Sequence, residues 1–256
     1  MSKPKPHHPP VPGPYERPWT DVPRYIYGTQ AVAGFGTRWF YVARIERALA
    51  CEMVIRHHYS GRIVKNSYVH LGVFIDGQIV GVMQFGYALN PAAMGKVVEG
   101  SSSIDYLELN RMWLSDAAPR NSESRAIAYA VRYIKEVMPQ VSWLQTFADE
   151  RCGGWGVVYQ AANFTYVGCH FTAFYELDGE FFHEMLLSAH SKMGQRGAYL
   201  RQNLDRATRQ TFRQFRYVFF IRRSWRKRLR LAPKPYPKRW LEAPSTAPAA
   251  GKTVAM

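Results

Sequence analysis

Cysteine is scarce in this chain of 256 residues, which has three: Cys51, Cys152 and Cys169. The number is odd and no two are spaced C-x-x-C, which excludes a disulfide framework and a zinc ribbon built on cysteine pairs. Buried or incidental thiols are the expectation. Long apolar runs are also missing. No stretch of about 18 apolar residues occurs, so no membrane-spanning helix is expected, and Pro and His stand where a secretory signal would need an apolar stretch. The expected location is the cytoplasm. Acidic residues are few, 19 against 34 Lys plus Arg, for a formal net charge of +15.

What is present is a globular composition with its charge in one place. Hydrophobic residues make up 47% and aromatics 14%, enough for a core that needs no disulfide or metal. From Lys192 to Arg239 there are 16 Lys plus Arg and one acid, Asp205, whereas the remainder holds 18 of each sign. A neutral body joined to one strongly basic segment suggests a polyanion contact, because counterion release at phosphates dominates nucleic-acid affinity. The alternative is a merely solvated tail. Within that segment, Arg216 to Arg230 mixes apolar residues with cations, so it should add a strand or helix and present Arg222, Arg223, Arg226, Lys227, Arg228 and Arg230 outward. A membrane-surface helix is the competing reading of such a stretch, and Pro233, Pro235 and Pro237 limit its length.

Eight prolines between Pro4 and Pro23 remove donors and fix φ so often that residues 1–23 read as a flexible arm, and residues 241–256 as a disordered tail. Ile45 to Arg56 suits a helix. Val69 to Ile75 and Gln78 to Gly86 flank Asp76-Gly77, the signature of a type I′ hairpin. Leu89 to Ser103 reads as a mobile surface loop. Tyr106 to Leu114 alternates as a strand, with Leu107, Leu109, Arg111 and Trp113 expected on one face. Asn121 or Ser122 can cap a helix whose apolar residues Ile127, Val131, Ile134 and Met138 recur at helical spacing up to Pro139. Val141 to Ala148 suits a buried strand, Gly153-Gly154 the opening of a short helix, Asn163 its left-handed end, and Tyr166 to Leu177 a further strand before an Asp178-Gly179 turn. This order predicts an α/β fold, one mixed sheet with helices packed on it. The expected division is a body over 24–180 and a basic extension over 181–240.

The pattern Tyr159-Gln160-Ala161-Ala162-Asn163-Phe164 resembles the GCN5-related N-acetyltransferases, in which a tyrosine precedes a helix-ending Gly-Phe by four residues. Asn163 stands for the glycine and also enters the left-handed region readily. More of the chain resembles a narrower group of that fold, the Mom family of phage Mu. The matching pieces are His57-His58-Tyr59-Ser60, Leu109-Asn110-Arg111, Asn121-Ser122-Glu123-Ser124-Arg125, Phe147-Ala148-Asp149 and Tyr159-Gln160-Ala161, with the basic ending from Arg226 to Lys238. One departure from the wider acetyltransferases stands out, since Ala118 to Ser124 replaces their glycine-rich pyrophosphate loop, and the Mom family shares it. The resemblance implies transfer of a carbamoylmethyl group to N6 of adenine in double-stranded DNA, with Arg111, Ser124, Asp149 and Tyr159 as functional positions. It also implies acetyl-CoA or a related acyl or aminoacyl donor, and iron, for which the residues suggest no ligand set.

Each position has a plain structural reading beside the chemical one. Asp149 ends an apolar strand, where open α/β sheets place site residues, and could orient or deprotonate the N6 amine, or cap a helix before Gly153. Tyr159 could protonate a departing thiolate or pack in the core with its hydroxyl bonded. Arg111 among apolar residues needs an anion, either a ligand or Asp149. Ser124 could reach a phosphate or cap its helix, and Asn121, Ser122, Arg120 and Arg125 would surround a pyrophosphate at the helix start. His58 and Tyr59 would line the base pocket, Tyr59 stacking on an extruded base, and adjacent histidines cannot share one helix face. His183 and His190 would share a helical face, but Leu187 stands where HExxH needs its second His. Two other functions compete: an acyltransferase acting on a protein, small-molecule or aminoacyl-tRNA amine, and an inactive nucleic-acid-binding module.

The concentration of charge has a measurable consequence. Replacing Arg226, Lys227, Arg228 and Arg230 with Gln should weaken binding to unrelated duplexes equally. It should also make the slope of log affinity against log salt shallower by roughly 0.9 per lost phosphate contact. An unchanged slope would mean that the cluster does not face DNA.

Overall fold

The structure is a computed structural model that describes residues 40–188 and 194–238. The expected arm over 1–23, the tail over 241–256, His190 and both ends of the basic stretch, Lys192 and Arg239, lie outside the described residues. The elements run β1 (Phe40–Arg44), α1 (Arg47–His57), β2 (Ser67–Ile75), β3 (Gln78–Gly86), β4 (Tyr106–Leu114), α2 (Ser122–Val137), β5 (Trp143–Asp149), α3 (Val157–Ala161), β6 (Thr165–Leu177), β7 (Glu180–His183), α4 (Gln195–Gln202) and β8 (Thr208–Phe220). The eight strands form one mixed sheet in the order β1-β2-β3-β4-β5-β8-β6-β7. Every pairing is antiparallel except β4 with β5, so the fold is the mixed α/β class read from the sequence.

Local chemistry accounts for the turns. Asp76 and Gly77 take φ of 50° and 81°, and Asp178 and Gly179 take 51° and 76°, the positive pairs that a tight hairpin needs and that Asp-Gly supplies at little strain. Asn163 ends α3 at φ 62° as its residue type suggests. Helix α2 buries Ala126, Ile127, Ala130, Tyr133 and Ile134 as a stripe against Leu71, Val73, Met83, Phe85, Leu107 and Leu144, and α3 packs beside it. The opposite face of the sheet holds α1, whose Ala50, Met53 and Val54 cover Val82.

Four expectations need correction. Leu89 to Ser103 is not a free loop: Pro91–Lys96 forms a 3₁₀ turn, and Met94, Val97 and Val98 are buried against Tyr106, Trp143 and Val218. Its apolar residues have no strand alternation, which hid a partner supplied from far along the chain. Val98 bridges Leu229, and Glu99 N–H donates to Arg228 O at 2.8 Å. The boundary expected near residue 180 does not divide the sheet, because β8 from the basic segment lies between β5 and β6. In β8 Arg216 stands between buried Phe215 and Tyr217, and Arg213 is itself buried, so a net charge concealed a core strand. The helix expected from Gly153 instead starts at Gly156, since Glu150–Cys152 forms a 3₁₀ turn that Gly153 closes at φ 64°. His183 ends strand β7, so it shares no helical face with another histidine.

Gly156 takes φ 76°, and a Cβ there would lie 2.4 Å from the Tyr217 ring. Gly156→Ala should therefore destabilise the protein by about 1–3 kcal/mol through the left-handed backbone alone, with the ring clash added. Urea unfolding with an unchanged slope and a lower midpoint is the expected result, and an unchanged midpoint would refute it.

Candidate active site

Strands β4 and β5 pair over four positions, from Tyr106 with Trp143 to Leu109 with Thr146, and then part. Beyond that rung β4 continues along β3 to Leu114, and β5 continues along β8 to Asp149. The parting coincides with a bulge, because Gln84 pairs with Arg111 and Phe85 with Leu109, leaving Asn110 as the extra residue. A bulge bends its strand and reverses the facing of the residues after it. Leu107 and Leu109 lie in the core under α2, as do Met112 and Leu114 further on, so Arg111 and Trp113 point to the other face. This corrects the expected alternation that put Arg111 beside Leu107 and Leu109.

Arg111 donates from Nε to Arg62 O at 3.1 Å and from Nη1 to Asn110 O at 2.7 Å. Asp149, one of the two anions considered for it, is paired with Arg151 instead. Asp149, 9% exposed, is held by Arg151, whose Nε lies 3.1 and 3.0 Å from the two carboxylate oxygens and whose Nη2 lies 2.5 Å from Oδ2. Arg151 N–H donates to Oδ1 at 3.0 Å, so Asp149 does cap, but it caps the 3₁₀ turn rather than a helix. The Arg151 guanidinium also lies 3.7 Å from the centre of the Phe174 ring. Arg213 of β8 grips the neighbouring Glu150 at 2.6 and 2.9 Å, which fixes the turn to the sheet. Burial alone would raise the Glu150 pKa, and these charge-assisted bonds outweigh it.

Tyr159 approaches the same rung from α3. Its hydroxyl bonds Thr146, whose Oγ1 donates to Leu109 O at 3.2 Å. Burial raises its pKa, with Thr146 and Arg111 opposing, so the phenol keeps its proton at neutral pH. It also packs on Phe164 and Tyr217, with ring centres 5.9 and 5.6 Å away. The packed tyrosine with a bonded hydroxyl, the plainer of its two readings, is what these contacts describe.

At the start of α2 no side chain caps the helix. Asn121 takes φ 70°, Ser122 Oγ donates to Pro119 O at 2.5 Å, and Ser124 Oγ donates to Asn121 O at 3.2 Å, which corrects the capping roles expected of all three. The uncapped N-terminal amides suit an anion, and exposed Arg120 and half-buried Arg125 flank them.

His58 is 8% exposed, its Nδ1 2.8 Å from Ser60 Oγ, while His57 stacks on Trp113 at 4.3 Å. Tyr59 is 62% exposed and lies 4.1 Å ring to ring from His58, with Cys152 as a hydrogen-bond partner. Three contributors escaped sequence reasoning. Arg151 sits in an Asp-Glu-Arg run that reads as solvated. Arg62 ties the loop after α1 across the opening, bonding Phe181 O at 3.3 Å and Glu180 at 3.2 Å. Glu108, half-buried on β4, accepts from Gln145 Nε2 at 2.7 Å and Asn110 Nδ2 at 3.1 Å. Only its charge within an apolar strand could have flagged it.

A family model for the Mom protein family matches residues 39–238. The chain belongs to the Mom protein family. It is 50% identical over 210 residues to methylcarbamoylase mom of Escherichia phage Mu, covering 81% of this chain and 87% of that one. Among solved structures, RimL, a ribosomal L7/L12 alpha-N-protein acetyltransferase, matches with TM-score 0.40 and 12% identity, over 72% of this chain and 94% of that one. AAC(6')-Ib in complex with ribostamycin and coenzyme A matches with TM-score 0.43 and 11% identity, over 74% of this chain and 96% of that one.

In this Mom-family chain the basic segment includes a 3₁₀ turn, Arg223–Arg228, and Arg222, Arg223, Arg226, Lys227, Arg228 and Arg230 are exposed. They are not all free. Arg222 bonds Pro139 O, Arg228 lies over Trp225 at 4.4 Å, and Arg230 pairs with Glu99 at 2.9 Å. Among the described residues no helix is long and apolar enough to span a membrane, and no three His, Cys, Asp or Glu side chains form a metal ligand set. The iron implied by the resemblance therefore finds no matching donor set among them.

Titration gives opposite signs at two of these residues. Burial, with Arg111 adding to it, pushes His58 down to about 4 from 6.5, so its contribution is present above about pH 6.5 and is lost as pH falls toward 4. Burial pushes Glu108 up to about 7 from 4.5 against the bonds from Gln145 and Asn110, so its contribution is present below about pH 4.5 and is lost as pH rises through 7. In urea midpoints across that range, His58→Gln should flatten the acid limb and Glu108→Gln the neutral limb. Variants that track the parent at every pH would contradict both assignments.

Proposed function

We propose that this chain transfers a carbamoylmethyl group to N6 of adenine in double-stranded DNA, acting in the cytoplasm where that DNA lies. What supports this is the gathering of Arg111, Asp149 and Tyr159 at one opening of the sheet, in a chain half identical to a methylcarbamoylase. The acceptor amine comes to Asp149, which takes a proton as the N6–C bond forms. Arg151 neutralises that carboxylate as it stands, so it must loosen for Asp149 to act as a base. Arg111, which donates to carbonyls from the sheet's edge of the opening, stabilises negative charge that develops there. Tyr159 keeps its proton and can give it to the leaving group on the α2 side.

The donor is a nitrogen-bearing relative of acetyl-CoA or of an aminoacyl compound, because acetyl-CoA itself lacks the carbamoyl nitrogen; the N6–CH2 bond forms as the bond from that carbon to the leaving group breaks. Its phosphates would meet the uncapped amides at Ser122 to Ser124, with Asn121, Arg120 and Arg125 around them. A base in a duplex must leave the stack to reach Asp149, and Tyr59 offers an exposed ring for it while buried His58 backs that ring. Phosphate contact falls to Arg222, Arg223, Arg226, Lys227, Arg228 and Arg230.

Expression in bacteria followed by nucleoside mass spectrometry of total DNA tests the reading. A modified deoxyadenosine is expected. Asp149→Asn, which keeps the shape of the cap, should abolish it, and Tyr159→Phe should lower it by about 10²-fold or more. Only unmodified deoxyadenosine alongside folded parent protein would overturn the proposal.

A further inference from the structure

The neutral body hides a local imbalance. Between Arg44 and Lys65 stand Arg44, Arg47, Arg56, Arg62 and Lys65 against Glu46 and Glu52. Arg56 pairs with Glu52 at 2.8 Å and Arg62 with Glu180 at 3.2 Å, and the other three cations border a shared space. Arg44 at the end of β1, Arg47 at the start of α1 and Lys65 before β2 line a cavity of about 280 Å³, together with Glu46, Tyr68 and His70. Its lining carries three cationic side chains and one carboxylate, a basic balance suited to an anion.

His70 is 6% exposed in the wall of this cavity. Burial, with Arg47 and Arg44 adding to it, pushes it down to about 4, so at neutral pH it adds no charge. Its Nδ1 lies 3.3 Å from the Gln84 side-chain amide, which holds the ring in the wall.

The cavity lies on the catalytic side of the sheet. Leu71 and Ala148 are buried under α2, so their strand neighbours His70 and Asp149 both face away from α2. His70 pairs with Gln84 and Gln84 with Arg111, so the cavity wall shares a rung with Arg111, two strand spacings or roughly 10 Å away. The basic turn Arg223–Arg228 follows β8, whose Phe220 pairs with Trp143, so it lies past the closed end of the β4–β5 pair, away from Asp149.

Resting on the DNA reading above, we propose that the cavity formed by Arg44, Arg47, Lys65 and His70 seats a backbone phosphodiester of the DNA substrate. This gives the duplex a hold beside the target base, separate from the C-terminal cluster at the other end of the sheet. Holding the backbone beside an extruded base offsets part of the unstacking that extrusion costs.

Salt-dependent binding of a duplex oligonucleotide tests this. Arg47→Gln with Lys65→Gln removes two exposed cations and should make the salt slope shallower by roughly 1.8, at about 0.9 per contact, and adding Arg44→Gln should extend the loss. The control is Lys135→Gln on α2, at the opposite face, which should leave the slope as in the parent. An equal change in the control would reveal a general charge effect and overturn the site. So would a parent-like slope in the double variant, even where parent DNA is modified normally, and then the enzymatic reading stands without it. Parent protein that neither binds nor modifies DNA would overturn both. A third arm measures the melting temperature in inorganic phosphate. If phosphate stabilises the parent but not the double variant while their DNA slopes agree, the cavity holds a free phosphate and the DNA assignment falls.

Discussion

The parting of β4 from β5 after Leu109 and Thr146 is the constraint on which the rest of the site depends. A parallel pair that stays zipped would fill the middle of the sheet with backbone bonds and leave no place for a ligand. One extra residue, Asn110, bends β4 away and sends Arg111 to the opposite face from Leu109. Asn110 is then held in place, donating to Tyr87 O at 3.2 Å and accepting from Ser67 Oγ at 2.9 Å. On the far side β5 keeps its direction because β8 pairs with it as far as Asp149.

Around that opening the chain stabilises charges that burial alone would penalise. Asp149 and Arg151 form one neutral unit, further supported by the Phe174 ring, and Glu150 and Arg213 form another just beside it. Removing either partner of such a unit leaves an uncompensated buried charge, which costs more than the pair contributes. Among the described residues no such cation is bonded to Glu108, which relies on two amide donors, and this explains its reluctance to ionise. The site therefore combines firmly paired carboxylates with one carboxyl poised near neutral pH.

Some of this was legible in the residues. The two Asp-Gly turns, the left-handed Asn163, the stripe of α2 and the strand over Tyr106 to Leu114 follow from periodicity and backbone preference, which are local properties. The ordered series of short motifs carried the family. The facing of Arg111 was not legible, because strict alternation cannot anticipate a bulge set by the neighbouring strand. Leu89 to Ser103 read as a loop because its burial depends on Leu229, 131 residues beyond Val98 in the chain. The cations from Arg44 to Lys65 vanished in a charge sum taken over the whole body.

By itself, the sequence determined the class of fold, the turns, the helical faces and the concentration of positive charge after residue 192, all of which depend on neighbours within a few positions. Tertiary structure decided that β8 enters the sheet between β5 and β6, that Asp149 pairs with Arg151 rather than Arg111, and that Arg44, Arg47 and Lys65 share one cavity. The reason is physical. Backbone preference and periodicity act over one or two turns of chain, whereas strand order, ion-pair choice and cavity walls are set by which distant segments bury their apolar faces together.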